Sequence, residues 1–201
     1  MLAERVDELR AALDAVADPD RAPAMAAYMR HRFRFLGVAA PARKRAQRSF
    51  IAFGRDARPA ELLDAAHVCW AQPEREFQYV GADLLRRWVD QLGAADLDRL
   101  ETLIRTRPWW DTVDALAAHV VGAMVRADPE LVAAMDRWID DDDIWIARTA
   151  ILHQLTFRER TDAARLFDYV DRRCADQEFF LRKASGWALR EYAKVDADAV
   201  R

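Results

Sequence analysis

Apolar residues recur along this chain at spacings of three and four, with polar and charged residues between them, almost from end to end. That period belongs to helices that bury one side. Proline, glycine and acidic clusters interrupt it at Asp18-Pro19, Gly37, Pro41, Pro59, Pro73, Gly93, Pro108, Asp128-Pro129 and Asp140 to Asp143. The interruptions are short, as turns between consecutive helices are. The pattern predicts eleven helices, over residues 2–17, 21–34, 41–54, 59–70, 74–90, 95–106, 109–126, 129–139, 143–157, 160–174 and 177–195. No strand pattern competes with them, so the expected fold class is all-α. The acidic run 140–143 reads as a helix entry, where carboxylates complement the positive end of the helix.

Successive helix pairs take roughly 35 to 40 residues, the period of HEAT-type arrays, in which each pair buries its apolar face only by stacking on its neighbours. The expected architecture is therefore a HEAT-like helical-repeat solenoid of antiparallel pairs, whose concave face would carry a binding site. Sequence self-similarity is not literal, which leaves a compact irregular bundle as the alternative.

Composition narrows the picture. With 201 residues, 52% of them hydrophobic, the chain is expected to fold as a single domain over 1–201. The first ten residues carry Glu4, Arg5, Asp7, Glu8 and Arg10, which excludes the apolar core of a signal peptide, and no long apolar run follows. A cytoplasmic location is expected. Cys69 and Cys174 lie far apart with no CxxC partner, and His31, His67, His119 and His153 are scattered. Neither a disulfide framework, a metal site nor a cofactor is signalled.

Charge changes the picture more. The net charge is only −3, but residues 21–58 hold ten basic side chains, Arg43, Lys44, Arg45 and Arg48 among them, against the single acid Asp56. That is a local +9, either a solvated face or an anion-binding surface.

Three helices break their own amphipathic pattern, and such breaks are where function is to be sought. In the helix opening Pro108-Trp109-Trp110-Asp111, the apolar stripe runs Trp109, Val113, Leu116, Ala117, Val120, Val121 and Met124. Trp110 and Asp114 then share an adjoining face, four residues apart. The pair reads either as a second core tryptophan beside a salt-bridged acid or as a functional site. In the next, Arg148 occupies a stripe position among Ile144, Ile151 and Leu155. Its guanidinium requires a partner, either an internal acid such as Asp114 or Asp111, or a phosphate. In the last, Lys183, Trp187, Arg190 and Lys194 form a line beside the apolar stripe Leu181, Ala184, Ala188, Tyr192 and Val195. Cations above and below an aromatic suit a surface that meets phosphates and sugars together. Helix 21–34 echoes this more weakly, with Tyr28 sharing a face with His31 and Arg32 while Met25, Met29 and Phe33 face the core.

These segments resemble the bacterial DNA alkylation repair glycosylases of the AlkD-like family, which are HEAT-like repeat proteins. The resemblance is carried by Ala27-Tyr28-Met29 with Phe35-Leu36-Gly37, by Pro73 to Gln78, by Trp109 to Asp114 (WWDTVD), by Ile144 to Leu155, and by Glu178 to Lys194 (EFFLRKASGWALREYAK). It implies that Trp110 and Trp187 flank the deoxyribose of a damaged nucleotide, that Asp114 acts at the sugar, and that Arg148 and Tyr28 hold the DNA. Lys183, Arg190, Lys194 and the Arg43, Lys44, Arg45, Arg48 cluster would add phosphate contacts. The implied activity is release of N3- or N7-alkylated purines from double-stranded DNA, without deep base flipping, by a monomer that needs neither cofactor nor metal. Pro108 stands where the family has a polar helix-starting residue, a change that preserves the helix start. The chain stops at Arg201, where the family continues with a further helical segment, so the expectation is either a missing terminal piece or a naturally short member. A non-catalytic relative that binds damaged or branched DNA is the main alternative, with a protein-interaction scaffold behind it.

Overall fold

The computed structural model describes residues 2–201, and it is all-α: among those residues there is no strand, only an isolated parallel bridge between Arg34 and Glu74. The chain falls into two compact units, one running to Gln91 and the other spanning Leu92–Arg201.

The first unit contains α1 (Leu2–Asp14), α2 (Ala22–Tyr28), α3 (Ala40–Ala46), α4 (Arg48–Ala52), α5 (Pro59–Ala71) and α6 (Arg75–Arg87). Its centre is α5 against α6. Pro59 starts α5 without wasting a backbone donor, and Glu61 turns back to accept the Arg58 N–H at 2.8 Å. Leu62, Leu63, Ala65, Ala66, Cys69 and Trp70 of α5 are buried, as are Phe77, Val80, Leu84 and Leu85 of α6. Full burial of one such large side chain contributes about 1.5–3 kcal/mol. Burial also pushes the Cys69 thiol up to about 12, so it is an inert core group.

Two predicted helices in this unit are interrupted. The 21–34 helix stops at Tyr28, because Arg30 and His31 adopt left-handed φ of 54° and 57°. The helical face expected to unite Tyr28, His31 and Arg32 therefore does not form. The chain is instead tied to the start of α6: Arg34 accepts the Arg75 N–H, and the buried Glu76 carboxylate accepts the N–H groups of Leu36, Gly37 and Val38. Gly37 sits at φ 84°, and a Cβ there would collide with the Asp18 carbonyl, so this turn requires glycine. The 41–54 helix divides at Gln47, whose buried amide donates to Asp83 at 2.8 Å. None of these long-range partners has a local sequence signal.

The second unit contains α7 (Leu97–Arg105), α8 (Trp110–Leu116), α9 (Gly122–Ala127), α10 (Val132–Trp138), α11 (Ile144–Leu152), α12 (Ala163–Arg172) and α13 (Phe179–Tyr192). Asp143 caps α11 through the Trp145 N–H at 2.9 Å, as the acidic run predicted. α11 ends at Leu152, short of the predicted 157, and the buried Gln154 side chain accepts from and donates to the Asp162 backbone across the following turn.

The predicted 109–126 helix is continuous but not uniform: Ala117–Val121 forms a π-helical turn between α8 and α9, with the Gly122 N–H reaching the Ala117 carbonyl five residues back. The wide turn displaces Ala118, whose carbonyl accepts from Thr156 Oγ1 at 3.3 Å. Beyond it the buried surface broadens from the predicted stripe to take in Ala118, Gly122 and Val125. Gly122 lies so close to the His153 carbonyl that a Cβ would collide with it.

Candidate active site

Three helices of the second unit converge on one ion pair. Asp114 lies one turn into α8. Arg148 sits mid-α11, where the stripe Ile144, Ile151 and Leu155 had marked it as anomalous. Its Nε and Nη2 donate to the two carboxylate oxygens of Asp114 at 2.7 and 2.8 Å, and Nη1 donates to the Phe180 carbonyl in the first turn of α13. The side chains are 5% and 15% exposed respectively. Of the two partners considered for Arg148, the internal acid is the one it holds. Of its five N–H donors, three are engaged inside the protein, and the remaining two are nearly sequestered.

This geometry fixes the carboxylate in two ways. A planar fork on a planar carboxylate sets both position and rotation. Because the same guanidinium also holds the Phe180 carbonyl, α8 and α13 are registered to each other through α11. Beneath the pair, Trp109, Trp145 and Phe180 form a compact aromatic group, with centroids 4.8–5.5 Å apart in tilted and edge-on contacts. Trp109 is 3% exposed, the core role its stripe position predicted. Phe180 had no assigned role from sequence; the Phe179-Phe180 doublet at a helix start was the available signal.

Burial pushes the Asp114 carboxyl above its ordinary range, and the hydrogen bonds and charge of Arg148 only partly oppose this, while Asp111 adds to the rise. The result is an oriented carboxylate with more basicity than a solvated one.

The other predicted residues are placed as follows, each within its own unit. Trp110 is half-buried at the first position of α8, one turn before Asp114. Trp187 is half-buried on α13, seven residues beyond Phe180 and so on the same side of the helix. Lys183 and Arg190 are exposed, Lys183 with its ammonium 6.0 Å from the Phe179 ring centroid. Lys194 is exposed but pairs with Glu191 at 2.6 Å. The apolar side of α13 is Leu181, Ala184 and Ala188, as predicted, while Val195 falls beyond the helix and is exposed. In the first unit, Tyr28 is 71% exposed at the end of α2. Lys44, Arg45 and Arg48 are exposed, but Arg43 is turned inward, paired to Asp83 at 3.2 Å and stacked 4.8 Å from the Tyr79 ring centroid. Among the described residues, no group of three His, Cys, Asp or Glu side chains is placed to hold a metal ion, and no helix is long and apolar enough to cross a membrane.

The second unit thus presents an oriented carboxylate one turn from the half-buried Trp110, with the half-buried Trp187 and the exposed cations Lys183 and Arg190 on α13. Comparison with known proteins gives the chain a family. The profile of the DNA alkylation repair enzyme family matches residues 9–201, and the chain belongs to that family. A solved structure described as a predicted DNA alkylation repair enzyme from Enterococcus faecalis is similar to it, with 28% identity and a TM-score of 0.86 over 92% of this chain and 86% of that one. Among curated proteins, none shows significant similarity.

Proposed function

We propose that the chain is a DNA glycosylase that hydrolyses the N-glycosidic bond of N3- or N7-alkylated purines in duplex DNA, with Asp114 as the acting carboxylate. The observation that carries this is the Arg148 fork on Asp114, which holds a carboxylate of raised basicity next to Trp110.

The chemistry requires little more. A purine alkylated at N3 or N7 carries positive charge in the ground state and departs as a neutral base, so no general acid has to protonate it. What develops in the transition state is positive charge on the sugar, at C1′ and the ring oxygen, and a water must then bond to C1′. Asp114 supplies negative charge toward the oxocarbenium-like sugar and accepts a proton from that water. Trp110 and Trp187 flank the deoxyribose, and their electron-rich faces attract the cationic sugar and base. Because the ion pair already occupies most of its donors, Arg148 serves as a positioning residue for Asp114 and reaches DNA through it. Tyr28, Lys183, Arg190, Lys194, Lys44, Arg45 and Arg48 contact the duplex, and Arg43 neutralises Asp83, which would otherwise repel phosphate. The protein works as a monomer on a lesion that is not drawn into a deep pocket.

Duplex DNA methylated at N3 of adenine and N7 of guanine, incubated with the protein and followed by chromatography of free bases, tests the reading. Asp114→Asn is expected to lower release by about 10²- to 10⁴-fold with duplex affinity retained. An Asn variant as fast as the wild type overturns the assignment of Asp114. A wild type that binds damaged duplex and releases no purine establishes a non-catalytic damage-binding protein instead.

A further inference from the structure

Many arginines of this protein are ion-paired. Arg105 holds Glu101, Asp141 and Asp143, Arg165 holds Asp136 and Asp162, and Arg172 holds Asp140 and Asp168. Five basic side chains without such partners among the described residues are gathered at one place. In the first unit an open groove of about 700 Å³ runs between the α3–α4 segment and the C-terminal end of α6. Lys44, Arg48 and Arg55 line one side, and Arg86 and Arg87 the other. All five are exposed, and among the described residues none of them is ion-paired to a carboxylate. The groove's only acid, Asp83, is already neutralised by Arg43 at 3.2 Å and hydrogen-bonded by Gln47 at 2.8 Å.

The groove is also preshaped. Its floor is apolar, from Ile51, Ala52 and Trp88. The Trp88 indole is locked in place: Nε1 donates to the Ile51 carbonyl at 2.7 Å and the ring fills the space over Gly54. The Arg87 guanidinium rests 4.3 Å from the centroid of that ring. Stacking restrains the cation without neutralising it, so little side-chain freedom is lost when it meets an anion. Five uncompensated cations facing one groove repel one another, and the arrangement gains when an extended polyanion lies between them. A row spread over two flanks of an open channel suits a chain of phosphates; a single small anion would be served by convergent donors.

We propose that this groove is a phosphodiester-backbone site for duplex DNA, indifferent to sequence and to damage, in which Arg55, Arg86 and Arg87 act together with Lys44 and Arg48. It deepens the glycosylase reading and rests on it. The +9 segment is thus completed by two cations from α6 that lie outside it.

The test is the salt dependence of binding to undamaged duplex by the full chain, for the wild type, for Arg55→Ala with Arg86→Ala, and for a charge-matched control, Arg58→Ala with Arg201→Ala. The control removes two cations already held by Glu61 and Asp198. Each lost phosphate contact flattens the log Kd against log salt slope by about 0.9. Between 50 and 200 mM salt the wild type should therefore lose about 12-fold more affinity than the groove variant, while the control keeps the wild-type slope. A groove variant with the wild-type slope overturns the site, even if the wild type releases methylated bases normally. A control that flattens equally also overturns it, since net charge would then suffice. A wild type that neither binds duplex nor releases base overturns the glycosylase reading and the groove with it.

Discussion

Replacing Arg148 with alanine leaves Asp114 in place without its partner. Three charge-assisted hydrogen bonds disappear, two of them to the carboxylate, and a carboxylate 15% exposed keeps its burial with no cation to offset it. Removing one member of a buried pair costs about 3–5 kcal/mol; the partial access of Asp114 to water puts this case near about 3 kcal/mol. For a chain of this size that is a fall in Tm of about 6–12 °C. The pH dependence is diagnostic. The folded-state pKa of Asp114 is raised, so its contribution to stability is fully present below the ordinary aspartate pKa and is lost as pH rises through the folded value. In Arg148→Ala the opposing influence is gone and the rise is greater. The deficit relative to the wild type should be largest at neutral pH and shrink on acidification, measured by calorimetry across pH. A second substitution, Asp114→Asn, removes the stranded charge, so the double variant should be more stable at neutral pH than Arg148→Ala alone. A deficit that is independent of pH, or two substitutions whose costs simply add, would refute the reasoning.

Other outcomes follow from the same geometry. Trp187→Ala should lower excision by up to about 30-fold, the equivalent of a desolvated cation–π contact of about 2 kcal/mol, while undamaged-duplex affinity changes little; equal losses in both would make Trp187 a general DNA contact. Gly122→Ala forces a Cβ against the His153 carbonyl and should cost about 1–3 kcal/mol as overpacking, seen as a lower denaturant midpoint at unchanged m-value. Glu76→Gln weakens the acceptor for Leu36, Gly37 and Val38, by about 1–3 kcal/mol. Burial raises the Glu76 pKa, so the wild type loses stability as pH rises through that folded value, and the deficit of the Gln variant should narrow in the same direction.

Much of the second unit could be read from spacing. The stripe Trp109, Val113, Leu116, Ala117, Val120, Val121 and Met124 is buried throughout, because an amphipathic period reports local burial directly. Arg148 stood out because a charge at a stripe position must have a partner, although spacing could not choose between Asp114 and a phosphate. What stayed hidden depends on contacts distant in sequence. The Phe180 carbonyl that receives Arg148, the Asp83 that turns Arg43 inward, and the Glu76 carboxylate that organises residues 36–38 lie 32 to 40 positions from their partners. The early end of α2 has the same origin: Arg30 and His31 take left-handed backbone that neither residue prefers, imposed by the link from Arg34 to α6.

The π turn at Ala117–Val121 separates two halves of one helix that need not share an azimuth. Such a turn is what remains when a single residue has been inserted into an α-helix without breaking it, and each residue is worth about 100° of rotation. The half that carries Asp114, from Trp110 to Leu116, is thereby clocked independently of the half from Gly122 onward. Deleting one residue from the turn would restore plain helical register and swing Asp114 by about 100°, off the Arg148 fork, with the distal helix undisturbed.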